Sequence, residues 1–207
     1  MPRPSRETVM DALLAVLTAA LETAFTANTT NGSAVLASPS TTAGLFVGLP
    51  VFGAGIPRGA TILTLSPLTL TQNATATGTA VALTTGFLTF GRRLVMWTQC
   101  AEQPALFLRD IDEELEYIGI TLQRQTIKAE IWIYSNAGED ANAVPISALN
   151  NLIDAIQSAL APDDPASGRF TLGGLVEWCR LAGRVDKDPG DISGQAIAVI
   201  DALITVP

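Results

Sequence analysis

The sequence predicts an α+β fold: a largely antiparallel sheet covered by two helices, with an inserted all-β, sandwich-like domain. Three observations carry that prediction. A strand-like and a helix-like hydrophobic period meet within residues 126–162. Residues 26–90 switch composition abruptly, to fifteen Thr, eight Gly and a single charged residue, Arg58. Near the C-terminus, two alternating runs flank Asp188-Pro189-Gly190-Asp191, a strong turn signal that makes them an antiparallel hairpin.

The first expected element is a helix over residues 6–23. Ser5 suits its N-cap and Glu7 favours the positive end of the helix dipole. Val9, Leu13, Val16, Leu17, Ala20 and Ala24 form the apolar stripe, which Met10, Leu14 and Leu21 widen. A membrane-surface helix would carry Lys and Arg on its polar face, where this one has Asp11 and Glu22.

Residues 26–85 then read as an inserted Thr/Gly-rich all-β module, dividing a domain made of residues 1–25 and 86–207. Short apolar runs, Thr61-Ile62-Leu63-Thr64-Leu65 and Leu68-Thr69-Leu70-Thr71, lie between Gly and Pro punctuation. The module has net charge +1 from Arg58, which leaves eleven basic and twenty acidic residues, net -9, to the rest of the chain. Gly53-Ala54-Gly55-Ile56-Pro57-Arg58-Gly59 lacks both the G-K-[ST] ending and the G-x-G-x-x-G spacing of phosphate loops, so its glycines read as turn residues. Asn28-Thr29-Thr30 and Asn73-Ala74-Thr75 match glycosylation sequons, read as incidental in a chain expected to be made and used without export.

After the module, residues 86–97 suggest a strand leading into a loop, and Ala105-Leu106-Phe107-Leu108 a second short strand behind Pro104. The acidic run Asp110, Asp112, Glu113, Glu114 and Glu116 follows. Paired carboxylates can hold a metal or work as an acid–base pair, but clustered acids with no partner nearby in sequence read as a solvated loop.

Residues 126–134 alternate cleanly. Ile127, Ala129, Ile131 and Ile133 share one face, and Lys128, Glu130, Trp132 and Tyr134 the other. Turn chemistry in residues 135–142 precedes Pro145, which suits a helix start because its missing N–H is not needed there. Leu149, Leu152, Ile153, Ile156 and Leu160 follow at helical spacing until Pro162. Beyond a loop over residues 163–168 and the Gly173-Gly174 joint, strands are expected over residues 175–187 and 195–206. Trp132, Tyr134 and Trp178 beside charged residues mark the second sheet face as a protein interface or as a second packed face.

Composition narrows the function. A hydrophobic fraction of 48% suffices for a core, while the longest apolar segments are too short to span a bilayer, so a soluble chain with no membrane partner is expected. Net charge -8 is opposite to the basic surface that conventional nucleic-acid binding requires. Cys100 and Cys179 read as two separate small thiols rather than a disulfide or metal pair. With no histidine and only Lys128 and Lys187 as lysines, the commonest general base, zinc ligand and nucleophile pairs are missing. No enzyme, cofactor, catalytic residue or metal site is expected.

Several segments occur in a recognisable order. They are Arg92-Arg93-Leu94-Val95-Met96-Trp97, Glu102-Gln103-Pro104-Ala105-Leu106-Phe107, Ala129-Glu130-Ile131-Trp132-Ile133-Tyr134-Ser135, residues 148–156, Thr171-Leu172-Gly173-Gly174-Leu175-Val176 and Asp188-Pro189-Gly190-Asp191. Together they resemble tail proteins of tailed bacteriophages, of the tail-terminator or tail-completion type, over residues 5–24 and 86–207. Residues 44–51, 53–59 and 70–76 resemble small β modules grafted onto phage capsid and tail proteins, where terminators usually join helix and first strand more directly.

The resemblance implies a virion protein of the tail or neck, assembled in the host cytoplasm. It implies a homo-oligomeric, typically hexameric ring on the last ring of tail tube protein, stopping tube growth and meeting head-completion proteins, with DNA only as passing cargo. An acidic scaffold would keep that DNA from sticking. Asp110, Asp112, Glu113, Glu114 and Glu116 are then candidate lumen residues, with bulk solvent as the competing destination. Arg92, Arg93, Trp97, Trp132, Tyr134 and Trp178 are candidate interface residues. A head-tail adaptor, another minor tail protein, or an adhesion module that binds a host surface through its β insert are the alternative readings. For adhesion, the module offers Phe46, Phe52 and Phe87 as aromatics.

Overall fold

A computed structural model describes residues 3–100, 102–118, 120–136, 145–164, 166–190 and 193–207. Among these residues the architecture is mixed α+β, with two α-helices and mostly β-sheet. Helix α1 (Arg6–Leu21) leads directly into β1 (Glu22–Thr29). The Ser5 side chain accepts a bond from the Thr8 N–H at its start, as an N-cap serine should. Two residues before the last apolar position of the sequence stripe, Ala24, Glu22 already has extended backbone, φ -116° and ψ 121°. The expected helix over residues 6–23 is shortened because the following residues pair as a strand.

Strands β2 (Val51–Gly53), β3 (Ile62–Leu65), β4 (Leu68–Leu70) and β5 (Gly78–Gly86) complete the Thr/Gly-rich region. β1, β5 and β2 form a three-stranded sheet in that order, and β3 and β4 a two-stranded one. Phe25, Leu36, Leu49, Val51, Ile62, Leu70 and Leu83 share a buried cluster of their own. The runs expected as short strands at residues 61–65 and 68–71 are β3 and β4. Glu22 lies opposite Gly86 and Phe25 opposite Leu83, so the chain enters and leaves this region side by side. Gly86 has φ +92°, and a Cβ there would run into the Leu21 carbonyl oxygen, so this crossing admits no side chain.

The main sheet has strand order β6-β7-β8-β10-β9. β6 (Thr89–Gly91) runs parallel to β7 (Ala105–Ile118), and every other pair in the sheet is antiparallel. β8 (Thr121–Asn136) lies between β7 and β10 (Gln195–Val206), and β9 (Trp178–Asp188) closes the far edge. Helix α2 (Pro145–Ala159) starts at the expected proline.

Two expectations change here. The acidic run is strand, not a solvated loop: β7 continues ten residues past Leu108, the last residue of the expected short strand. Carboxylates are poor strand formers, but cross-strand partners override that preference: Asp112 stands opposite Lys128 and Glu116 opposite Arg124. Conversely, the strand expected from residue 86 is limited to β6, and the chain then loops through a short 3-10 turn at Trp97–Gln99. The turn expected over residues 135–142 falls mostly outside the described residues, as do Pro165 and Asp191.

One buried cluster joins the helices to one sheet face. Val9, Met10, Leu13 and Leu17 of α1 and Leu149, Leu152 and Ile156 of α2 meet Leu106, Leu108, Ile127, Ile131, Ile133, Ile200 and Ile204. Each such side chain fully removed from water contributes about 1.5–3 kcal/mol. Phe87 belongs to this cluster too, although Leu83, four residues earlier, belongs to the cluster of the Thr/Gly-rich region. The Thr/Gly-rich region also touches α2, where the Asn151 side-chain amide donates to the Val47 carbonyl at 3.3 Å.

The adjacency of Phe25 and Leu83 makes a clean excision testable. Replacing residues 26–82 with an Asn-Gly turn should leave a cooperatively unfolding protein with helical circular dichroism retained. Insoluble or non-cooperative material would mean that the main core depends on the module.

Candidate functional site

The candidate surface is built on β7, β8, β10 and β9 on the sheet face turned from the helices, together with the outer half of the β7–β8 hairpin. Alternation assigns the faces. Ala129 and Ile127 lie in the helix-side core, so Asp110 and Glu113, which stand opposite them, share that side. A bulge between Asp110 and Asp112 resets the register. Asp112, Glu114 and Glu116, opposite Lys128, Thr126 and Arg124, occupy the other side. The five candidate acids therefore divide between two faces of one strand.

Their electrostatics divide likewise. Glu113 receives both the Arg6 guanidinium, at 2.5 Å, and the Gln125 amide at 2.6 Å. The Arg6 bond is the main reason its carboxyl lies below the ordinary range. Among the described residues Asp110 has no such donor, and desolvation followed by repulsion from Glu113 raises its pKa. On the opposite face Lys128 pairs with Asp201 at 3.0 Å, which holds the lysine above its ordinary value. Beside them, Glu130 accepts the Trp132 indole N–H at 2.8 Å and faces Arg109 at 3.7 Å.

The candidate interface residues have three different placements. Arg92 is spent inside the chain, bonding Asp11 at 2.9 Å and Glu7 at 3.4 Å on α1. Tyr134 is buried, stacks at an angle on Phe107, and donates its hydroxyl to the Val95 carbonyl at 3.0 Å. Ala105, Phe107 and Tyr134 thus form a small second core beneath Leu94, Val95 and Cys100. At this end the second sheet face is packed, the competing alternative to an interface there. Arg93 and Trp97 are exposed on the same loop, as is Met96.

Toward the other end the face is open. Trp132 packs edge-on against Tyr134 at the margin of that core, Val199 and Leu203 are half-buried beyond it, and the Trp178 ring has two guanidiniums against it, Arg180 at 4.4 Å and Arg169 at 5.5 Å. Glu177 joins Arg169 to Arg124 by ion pairs of 3.2 and 3.3 Å.

Sequence reasoning missed the apolar residues of the hairpin arm. Ile111, Leu115 and Tyr117 are exposed, and Ile120 in the turn is completely so. Leu115-Glu116-Tyr117 carries the alternating signal of a strand, but the preceding acids masked it. The module's aromatics are less available than their composition suggests, since Phe87 is in the main core and Phe46 packs against the module cluster.

Among the described residues no three Asp, Glu or Cys side chains gather as a metal-binding group. No described helix is long and apolar enough to cross a membrane. Burial pushes the Cys179 thiol up to about 12, leaving it protonated at neutral pH. The arrangement offers charged pairs, half-exposed aromatics and a hairpin arm. Comparison with known protein families gives no match to this chain, and comparison with curated proteins gives none.

The two helix-side acids should respond oppositely to pH. Glu113, with its folded pKa lowered, stabilises fully above its ordinary value of 4.5 and loses that contribution as pH falls through the folded value. Asp110, with its folded pKa raised, destabilises its ionised state in the fold. Glu113→Gln should therefore lower the urea midpoint at pH 7, with the loss shrinking as pH falls from the ordinary carboxylate range through the folded value. Asp110→Asn should raise the midpoint slightly at pH 7, with the gain fading in acid. Equal effects of the same sign would contradict this electrostatic assignment.

Proposed function

We propose that the chain is a structural virion protein of a tailed bacteriophage, forming a ring at the end of the tail tube at the head-tail junction. It stops tube growth, joins head-completion proteins and lets DNA pass. The ordered resemblance to tail-terminator proteins supports this reading. The structural observation that carries it furthest is the long β7–β8 hairpin, which bears the acids along β7 and whose end, beyond the last β10 pairing at Gln125, presents exposed Tyr117 and Ile120.

In this reading the two helices cover one face of the antiparallel sheet as a ring-building scaffold. Residues 26–85 are a sandwich-like decoration that projects outward, where a module of that size blocks neither lumen nor stacking face. Because the acids occupy both faces of β7, one subset lines the lumen and the other meets a neighbouring subunit. Carboxylates repel the phosphate backbone, so a lumen of this kind releases duplex rather than holding it. The ring is a homo-oligomer, hexameric by resemblance, assembled in the host cytoplasm and retained in the tail or neck of the virion.

Cryo-electron microscopy of the virion tests the position directly. One ring of this chain atop the tube, with the module outside, is expected; placement along or below the tail, or absence from the particle, refutes the assignment. Replacing Asp110, Asp112, Glu113, Glu114 and Glu116 by Ser should slow DNA ejection, and an unchanged ejection rate would remove the lumen role.

A further inference from the structure

The two edges of the main sheet are unlike each other, and both carry unpaired backbone. On one side β6 pairs only with Ala105, Leu106 and Phe107, so among the described residues the outer edge of β7 beyond Phe107 has no strand partner. On the other side β9 is the last strand; outside the sheet, Phe170 reaches only Cys179. A free edge presents N–H and C=O groups that can template a further strand.

The charges on these edges have opposite sign. β7 carries five acids against one arginine, net -4, and β9 carries Arg180, Arg184 and Lys187 against Asp186 and Asp188, net +1. Arg169 lies beside Arg180 over Trp178 but is paired with Glu177, and Arg184 is paired with Asp186, so Arg180 is the guanidinium on β9 with no carboxylate partner among the described residues. Two β7 edges repel each other, so pairing of like edges between two copies is disfavoured, whereas β7 against β9 is attractive. The arm also has apolar surface to bury, namely Ile111, Leu115, Tyr117 and Ile120.

We infer that the free β7 edge of the β7–β8 arm of one copy docks on the β9 edge of the next, held by arm carboxylates against Arg180 and Arg184. The occupant of each edge is thus a second copy of this chain. The two surfaces are different, so the contact is head-to-tail, and repeated head-to-tail contacts close a ring when the rotation permits. This deepens the ring reading and rests on it, by naming the surfaces through which copies meet.

The test measures mass in solution by light scattering, with no tail component present, so it is separate from whether the ring belongs to a phage tail. The wild-type chain should be oligomeric. The arm variant Glu114→Lys/Glu116→Lys and the edge variant Arg180→Glu/Arg184→Glu should each be monomeric at the same concentration, with wild-type circular dichroism. An equimolar mixture should regain the oligomer, because each reversed edge then meets a complementary one. A misfolded variant would not be rescued by mixing. A monomeric wild-type chain, variants that keep the wild-type mass, or two monomeric variants that stay monomeric when mixed would overturn the inference.

Discussion

The alternation of β8 is the constraint on which the rest depends. Ile127, Ala129, Ile131 and Ile133 are essentially inaccessible to solvent, and from Gln125 to Tyr134 β8 is paired with β7 on one side and β10 on the other. A shift of one residue against either neighbour would turn those side chains out and bring Lys128 and Glu130 into the helix-side core. Burying either charge without its partner is so unfavourable that the register has no close competitor. Fixing β8 fixes β7 and β10, and through β10 it fixes β9. The helices then have one apolar surface against which to bury their stripes.

The polar face of the same strand sets the chemistry of the outer surface. Lys128, Glu130 and Trp132 each find a partner on a neighbouring strand or on β8 itself: Asp201, Arg109 and Glu130 respectively. These are exposed or half-exposed contacts, worth roughly 0–1 kcal/mol each, so they do little for overall stability. Their effect is arrangement. Acids accumulate along the β7 arm and arginines gather around Trp178 near β9, giving a chain of net charge -8 an uneven distribution of charge.

What the sequence made legible follows from where single periods dominate. Residues 126–134 and 195–206 show strict alternation, the helix after Pro145 has clear apolar spacing, and the change of composition near residue 26 locates a second apolar cluster. The first helix was overextended because Ala24 continues its stripe, whereas backbone pairing with β5 decides the local structure. The acidic arm was unreadable as strand because its stabilisers, Arg6, Arg124, Gln125 and Lys128, are distant in sequence. Likewise, nothing local to Tyr134 indicates that Val95, thirty-nine residues earlier, accepts its hydroxyl. Long-range pairing, rather than intrinsic preference, determined both.

The placement of the three tryptophans has an optical consequence. Trp97 is on the exposed loop, Trp132 donates to a carboxylate on the central strand, and Trp178 lies against two arginines at the edge. Neither helix and no part of residues 26–85 contains one. Intrinsic fluorescence therefore reads the sheet and its covering loop at three polarities. It is blind to the Thr-rich region, whose melting would pass unseen under a single smooth emission curve.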